Sequence, residues 1–192
     1  MDMLKDCYHT FVNKGFDSII ALGTGSIVDF AKALNLAVCF GPEIFKNGIN
    51  KTNIQSLMPF AFLPTIPGTG LETNCTARFN SQVFDLPVLA PDIALIDEKI
   101  LGTANVENII NSALTALSVC CETLVLSNNP MAKAYADTGI SLVMTHLFPL
   151  IEQEPYWDSN LIPDCKKDRH HLACLVHASV ISGYLSANNK FL

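Results

Sequence analysis

The sequence is short of charge and has no excess of positive charge. Charged residues make up 16% of its 192 residues, and 12 Lys and Arg against 18 Asp and Glu leave a net charge of −6. Broad nucleic-acid binding needs a basic surface, so a nucleic-acid partner is not expected. No C-x-x-C pair occurs among the seven cysteines, Cys7, Cys39, Cys75, Cys120, Cys121, Cys165 and Cys174. Scattered in apolar settings, they read as buried, reduced thiols rather than a disulfide framework or a zinc finger. Asp, Lys, Glu or Asn breaks every apolar run before it reaches bilayer length, and the first residues show no basic flank leading into an apolar stretch. The expectation is a soluble, cytoplasmic protein with no membrane partner. A G-x-S-x-G elbow, an H-E-x-x-H helix and a Tyr-x-x-x-Lys dyad are all missing. Hydrolase, zincin and short-chain-dehydrogenase readings therefore lack support.

What is present is apolar: hydrophobic residues make up 49% of the chain. That favours elements buried on both faces, as in a parallel sheet packed between helices. Leu4, Cys7, Tyr8, Phe11 and Val12 share a helical stripe, and Gly15 stands where that helix should stop. Residues 17–22 form a short run rich in β-branched side chains and read as a buried strand. Ser26 can cap the next helix, whose core stripe is Ile27, Phe30, Ala31, Leu34 and Val38. Residues 41–57 are loop-like, 59–63 form a second strand, and 93–96 a third. Between the last two, Pro64, Pro67, Gly68 and Gly70 fix a turn that is neither helix nor strand. After Asp97 the period becomes continuously helical. Residues 106–126 form a long helix, Asn129-Pro130 caps another, 154–163 form a loop, and 164 onward is helical again. The expected organisation is an α/β layer over 1–98 and a helical layer over 99–192.

The turn Gly23-Thr24-Gly25-Ser26 between strand and helix is a device for holding phosphate. Small residues let the backbone approach closely, and helix-start N–H groups favour negative charge. It is not the G-x-G-x-x-G fingerprint, because Val28 occupies the third glycine position, and no Gly-Lys-Ser/Thr follows as in a Walker loop. The turn alone is equally compatible with a plain strand-to-helix connection. Asp29 and Lys32 sit one helical turn apart; read by themselves they form a solvated ion pair worth about a few tenths of a kcal/mol.

Taken together, three segments resemble the iron-containing, or group III, alcohol dehydrogenases. "DSIIALGTGSIVDFAKALNLA" resembles the family's GGGSxxDxAK segment, "PFAFLPTIPGTGLETN" its PTTAGTGSE turn, and "PDIALIDEKIL" its P-x-x-A-(I/L)-x-D stretch, in matching order from about Gly15 to Leu101. "CETL", "NNPMAKAYAD" and "SGYLSANN" follow more faintly. The resemblance implies a partial Rossmann-like parallel sheet followed by an all-helical domain, the dehydroquinate synthase-like architecture, short at both ends. It implies NAD or NADP as cofactor. Gly23, Thr24, Gly25 and Ser26 would face the pyrophosphate, with Asp29 and Lys32 bracing the loop. Thr65 and Thr69 would hold the nicotinamide side, and Leu95 would pack near the cofactor. Thr24 replaces a family glycine, which is tolerable if its φ is negative.

The departures bear on chemistry. The family's G-x-D-A-L-x-H-A-x-E helix supplies an aspartate and a histidine to a catalytic metal; the matching positions here are Thr115 and Val119. The other two family histidines would fall beyond "SGYLSANN", past Leu192. No counterpart of the family lysine is found in the compressed segment 80–91. No metal ligand is therefore assigned, the catalytic metal is expected to be absent, and no catalytic residue is identified. Two functions follow: an NAD(P)-dependent oxidoreductase interconverting an alcohol and an aldehyde or ketone, or a catalytically inactive remnant acting as a binding or interaction protein. The expected partners are a small alcohol or aldehyde and a second copy of the chain covering an exposed sheet edge. Elsewhere, His170, Cys174 and His177 share a helical stripe beside His171, but one straight helix rarely aims three ligands at one ion. His9 and His146 stand isolated, and Glu72 and Glu122 read as local braces.

Overall fold

The computed structural model describes residues 2–47, 56–66, 70–102, 104–152 and 166–188. They divide into two compact units: one made of 1–63 and 75–94, the other of 64–74 and 95–192.

In the first unit, helix α1 (Asp2–Lys14) ends where the pattern requires. Gly15 takes φ +68°, and Phe16 N donates to Phe11 O at 3.2 Å, a left-handed closure that glycine adopts without strain. Strand β1 (Ile19–Gly23) leads into α2 (Gly25–Phe40), followed by the short α3 (Ile44–Asn47). Strands β2 (Phe60–Pro64), β3 (Thr76–Phe79), β4 (Gln82–Asp85) and β5 (Ile93–Ala94) come next. A sheet runs in the order β1-β2-β5, with β2 and β5 parallel and Ala61 opposite Ile93. Asp92 sets that register: its Oδ2 accepts from Phe60 N at 2.8 Å while its own N–H donates to Phe60 O at 2.9 Å.

The sequence expectation for residues 17–22 is a buried strand, and β1 is buried on one face only. Ile19 and Ala21 lie against the core, whereas Ile20 and Leu22 are 73% and 57% exposed. Alternation in β1 follows from the pleat, which sends successive side chains to opposite faces. Leu36, Ala33 and Ala37 of α2 pack with Leu4, Phe45, Ala77, Phe84 and Leu89 in one apolar cluster. Buried Asn35 clamps the approach to β2: its Nδ2 donates to Met58 O at 2.9 Å and its Oδ1 accepts from Met58 N at 3.0 Å.

Between β2 and β5 the chain also forms the antiparallel hairpin β3–β4. Its two-residue turn, Asn80-Ser81, has φ +49° and +63°, the twist-matched geometry that joins antiparallel strands. The customary glycine is missing, so the composition gave no signal there.

The second unit is helical: α4 (Glu98–Leu101), α5 (Val106–Leu126), α6 (Pro130–Ile151) and α7 (Lys166–Asn188). Asn105 Oδ1 caps α5 by accepting from Asn108 N at 2.8 Å, and Asn129 caps α6 with Pro130 in its first turn. Ile109, Ala113, Val143, Leu147, Leu172, Leu175 and Ala178 form the shared core of the three long helices. One expectation is corrected here: α5 is long and apolar enough to cross a membrane by length and composition alone. Its stripe Val106, Ile109, Ala113, Ala116 and Cys120 is nevertheless buried within the protein. The loop expected over 154–163 lies outside the described residues, as do 48–55 of the loop expected over 41–57.

Residues 64–74 belong to this helical unit although they lie between strands of the other. Gly70 and Gly183 meet backbone to backbone; a Cβ on Gly70 would stand 2.9 Å from Gly183 Cα. Ser179, fully buried, accepts from Gly70 N at 2.7 Å and donates to Glu72 Oε2 at 3.0 Å, and Thr73 Oγ1 donates to Val180 O at 3.0 Å. Glu72 is thus a brace, as its setting suggested.

Candidate functional site

The β1–α2 turn is built for close approach. Gly23 takes φ +152°, and a Cβ there would stand 2.8 Å from Ile27 Cγ1. Thr24, at φ −118° and ψ −165°, is ordinary extended backbone, so threonine sits without strain where the resembled pattern has glycine. Thr24, not Ser26, is the N-cap residue, and it makes no side-chain cap hydrogen bond. Its carbonyl accepts from Ile27 N and Val28 N at 3.0 and 3.1 Å. Ser26 lies instead within the first turn of α2, exposed beside Gly25. No acidic residue occupies that turn. Both α5 and α6 carry asparagine caps; α2 presents its first N–H groups without one, the arrangement that receives an anion.

Behind the turn, Asp29 and Lys32 do not form the solvated pair that helical spacing alone suggested. Lys32 is 1% exposed, and its Nζ donates to Thr76 O at 2.9 Å. Asp29 Oδ1 accepts from Arg78 N at 3.1 Å. Two side chains one turn apart on α2 thus grip alternate residues of β3. Burial pushes the Asp29 carboxyl above its usual range, opposed by the Arg78 N–H and by the charges of Lys32 and Arg78. This brace holds the β1–α2 turn against the hairpin.

Thr65 follows β2 directly and is half-buried; Leu95 follows β5 and is 52% exposed. Both belong to the second unit, and Thr69 lies outside the described residues.

On α5, Thr115 is exposed, and its Oγ1 donates to Asn111 O at 2.8 Å. Val119 packs beside Cys120, Ala136 and Leu185. One neutral hydroxyl, committed to its own helix, and one isopropyl group do not fit a divalent ion that needs anionic or imidazole ligands. Nor does a thiol offer a nucleophile there: burial and neighbouring Cys121 push Cys120 up to about 11. Of the six cysteines among the described residues only Cys120 is buried; Cys121 is exposed and the rest are half-buried.

His146 is not isolated. From α6 it reaches His171 on α7, Nδ1 to Nδ1 at 2.9 Å, beside His170 and Cys174. Sequence spacing could reveal only the α7 members of this group. A cavity of about 560 Å³ opens elsewhere in the helical unit, lined by Asn128, Asn129, Tyr135, Tyr184 and Asn188 among others.

Residues 1–98 match the family model of iron-containing alcohol dehydrogenases. The probable alcohol dehydrogenase EutG of Escherichia coli (strain K12) is 37% identical over 90 residues, 43% of this chain and 22% of that protein. An NAD-dependent methanol dehydrogenase of Bacillus methanolicus is 26% identical over 145 residues, 71% of this chain and 38% of that one. Among solved structures, NADH-dependent butanol dehydrogenase A of Thermotoga maritima shares the fold, with a TM-score of 0.77 at 22% identity, over 96% of this chain and 46% of that one. The chain thus spans less than half the length of each of these relatives. With the glycine turn, its brace and just over half of the sequence matched, the chain belongs to the iron-containing alcohol dehydrogenase family.

Proposed function

We propose that the β1–α2 turn binds the pyrophosphate of NAD or NADP, in an oxidoreductase of the group III type that interconverts an alcohol with an aldehyde or ketone. The observation that carries this is the uncapped start of α2 behind Gly23, at the carboxyl end of a strand, where α/β sheets take their ligands. Gly23, Thr24, Gly25 and Ser26 cradle the phosphates with backbone N–H groups, and Asp29 and Lys32 hold that backbone still. The resemblance assigns Thr65, Thr69 and Leu95 to the nicotinamide end of the cofactor. Bound nicotinamide supplies or accepts the hydride. Relatives named for NAD-dependent methanol and NADH-dependent butanol chemistry support the cofactor class and a small alcohol or aldehyde as substrate. In this reading residues 1–98 serve the dinucleotide, 99–192 form the helical domain, and the protein works in the cytoplasm.

A second reading, a member that binds cofactor without turning it over, is favoured by Thr115 and Val119, which do not fit the family metal. Fluorescence titration with NADH and NADPH, beside a cofactor-linked assay with short primary alcohols and aldehydes, separates the two. Binding with turnover supports the first reading, and binding without turnover the second. Titration curves identical to buffer would remove both.

A further inference from the structure

The helical unit gathers metal-binding side chains at a place the family chemistry does not use. On α7, His170 and Cys174 stand one turn apart, so their side chains leave the same face; Nε2 and Sγ are 3.8 Å apart. From α6, His146 brings a second imidazole. One nitrogen from each of these two rings and the Cys174 sulfur lie within 4.8 Å of one another. The objection that one straight helix cannot surround an ion falls away, because the third group comes from a neighbouring helix.

We propose that His146, His170 and Cys174 form a binding site for one borderline-soft divalent metal ion, zinc by preference. Two imidazoles and a thiolate suit zinc and its neighbours and reject magnesium and calcium, which take oxygen ligands. Around a tetrahedral zinc, Zn–N and Zn–S bonds of about 2.0 and 2.3 Å put the ligand atoms roughly 3.3–3.7 Å apart. The His170–Cys174 pair already has nearly that spacing. The widest separation must close by about 1 Å, which small side-chain rotations accomplish.

The surroundings favour the same assignment. His171, buried on α7, lies Nδ1 to Nδ1 at 2.9 Å from His146; with the shared hydrogen on the His146 side, His146 Nε2 is the nitrogen left to ligate. Ligating histidines are commonly fixed by such a bond on the other nitrogen. On binding, the Cys174 S–H bond breaks, its proton passes to solvent, and a sulfur–metal bond forms with no change of oxidation state. Three protein ligands leave a fourth position for water, on the exposed side marked by His170.

The test uses the full chain, reduced and freed of metal by chelator, titrated with cobalt(II). One equivalent should bind with tetrahedral d–d bands and an intense thiolate-to-cobalt charge-transfer band, and zinc should displace it. Cys174→Ser should abolish the charge-transfer band; His146→Gln and His170→Gln should each weaken binding at least tenfold, with helical circular dichroism unchanged. His177→Gln and Cys121→Ser, exposed residues outside the cluster, should bind like the parent. A charge-transfer band that survives Cys174→Ser would overturn the proposal, as would equal cobalt affinity in all variants or no cobalt uptake by the parent. A variant that loses its helical signal is replaced by His146→Asn or Cys174→Ala, read in the same way. Neither result depends on whether the β1–α2 turn binds a dinucleotide.

Discussion

Lys32 Nζ donates to the carbonyl of Thr76 at 2.9 Å from a side chain that is 1% exposed. A buried ammonium is tolerated when it is held by hydrogen bonds and nearby charge, and Lys32 lies one turn from Asp29. Lys32→Met keeps the aliphatic stem and deletes the donor. A charge-assisted hydrogen bond of this kind is worth about 1.5–3 kcal/mol, so the variant should lose that much stability in urea unfolding. A loss under about 0.5 kcal/mol, within the range of an ordinary surface substitution, would show that the brace is not structural.

Asp29 supplies the opposite case. Its carboxyl pKa is raised, chiefly by burial. A raised folded-state value means that the folded protein binds the proton more tightly than the unfolded chain. Its stabilising contribution is therefore fully present below the usual aspartate pKa of about 3.9 and is lost as pH rises through the higher folded value. Asp29→Asn keeps an oxygen to accept from Arg78 N and removes the charge. Near neutral pH it should equal or exceed the parent in stability, by no more than about 1 kcal/mol because the group is half-exposed and screened. Urea melts at several pH values should show the difference shrinking toward pH 4. A parent that is more stable than the variant at neutral pH and less stable in acid would reverse this sign.

Ser179 joins the segment 64–74 to α7 by accepting from Gly70 N and donating to Glu72. Ser179→Ala removes both bonds from a fully buried position. Leaving such polar groups to find new partners should cost about 2–3 kcal/mol. Hydrogen exchange should report the loss at Gly70 N–H before the rest of the helical unit.

Local signals are legible wherever the chain carries its own punctuation. Gly15 stops α1, Asn129-Pro130 starts α6, and the residue ranges of α5 and β2 follow from period and composition. What escaped was set by distant partners. Lys32 and Asp29 have the spacing of a surface pair, and only β3, more than 40 residues on, converts them into a clamp. His146 has no ligand-type neighbour in sequence, and α7 supplies its partners 25 residues later. The β3–β4 hairpin lacks its glycine, and the exposed face of β1 cannot be told from a buried one when both faces are apolar.

Gly25 is the residue at which cofactor binding is tested most cleanly. It begins α2 and is not among the positive-φ glycines, so a side chain is sterically allowed by the backbone, and valine would place two methyl groups in the proposed path of a phosphate. Gly25→Val should abolish NADH or NADPH binding, with thermal stability changed by no more than about 1 kcal/mol. Gly23 is the poorer choice, since its φ of +152° and the nearness of Ile27 would confound folding with binding. Equal affinity in parent and Gly25→Val would show that this turn does not serve the cofactor.

The last prediction is that alcohol dehydrogenase turnover is absent or very small even when cofactor binds. Hydride departs from an alcohol whose oxygen has given up its proton, and in this family's chemistry a divalent ion stabilises the negative charge on that alkoxide oxygen. Thr115 spends its hydroxyl on Asn111 O, and Val119 has no donor at all. Losing electrophilic stabilisation costs several kcal/mol, and each 1.4 kcal/mol is about tenfold in rate, so a penalty on the order of thousands is expected. Metal content alone cannot decide the matter, because the His146, His170 and Cys174 cluster is itself proposed to hold zinc. The informative protein is Cys174→Ser, assayed with cofactor and short primary alcohols and analysed for bound metal after dialysis. It should contain no stoichiometric iron or zinc and show no turnover above the uncatalysed rate. Robust turnover with one tightly bound ion in that variant would mean that α5 and its neighbours assemble a ligand set without Thr115 and Val119.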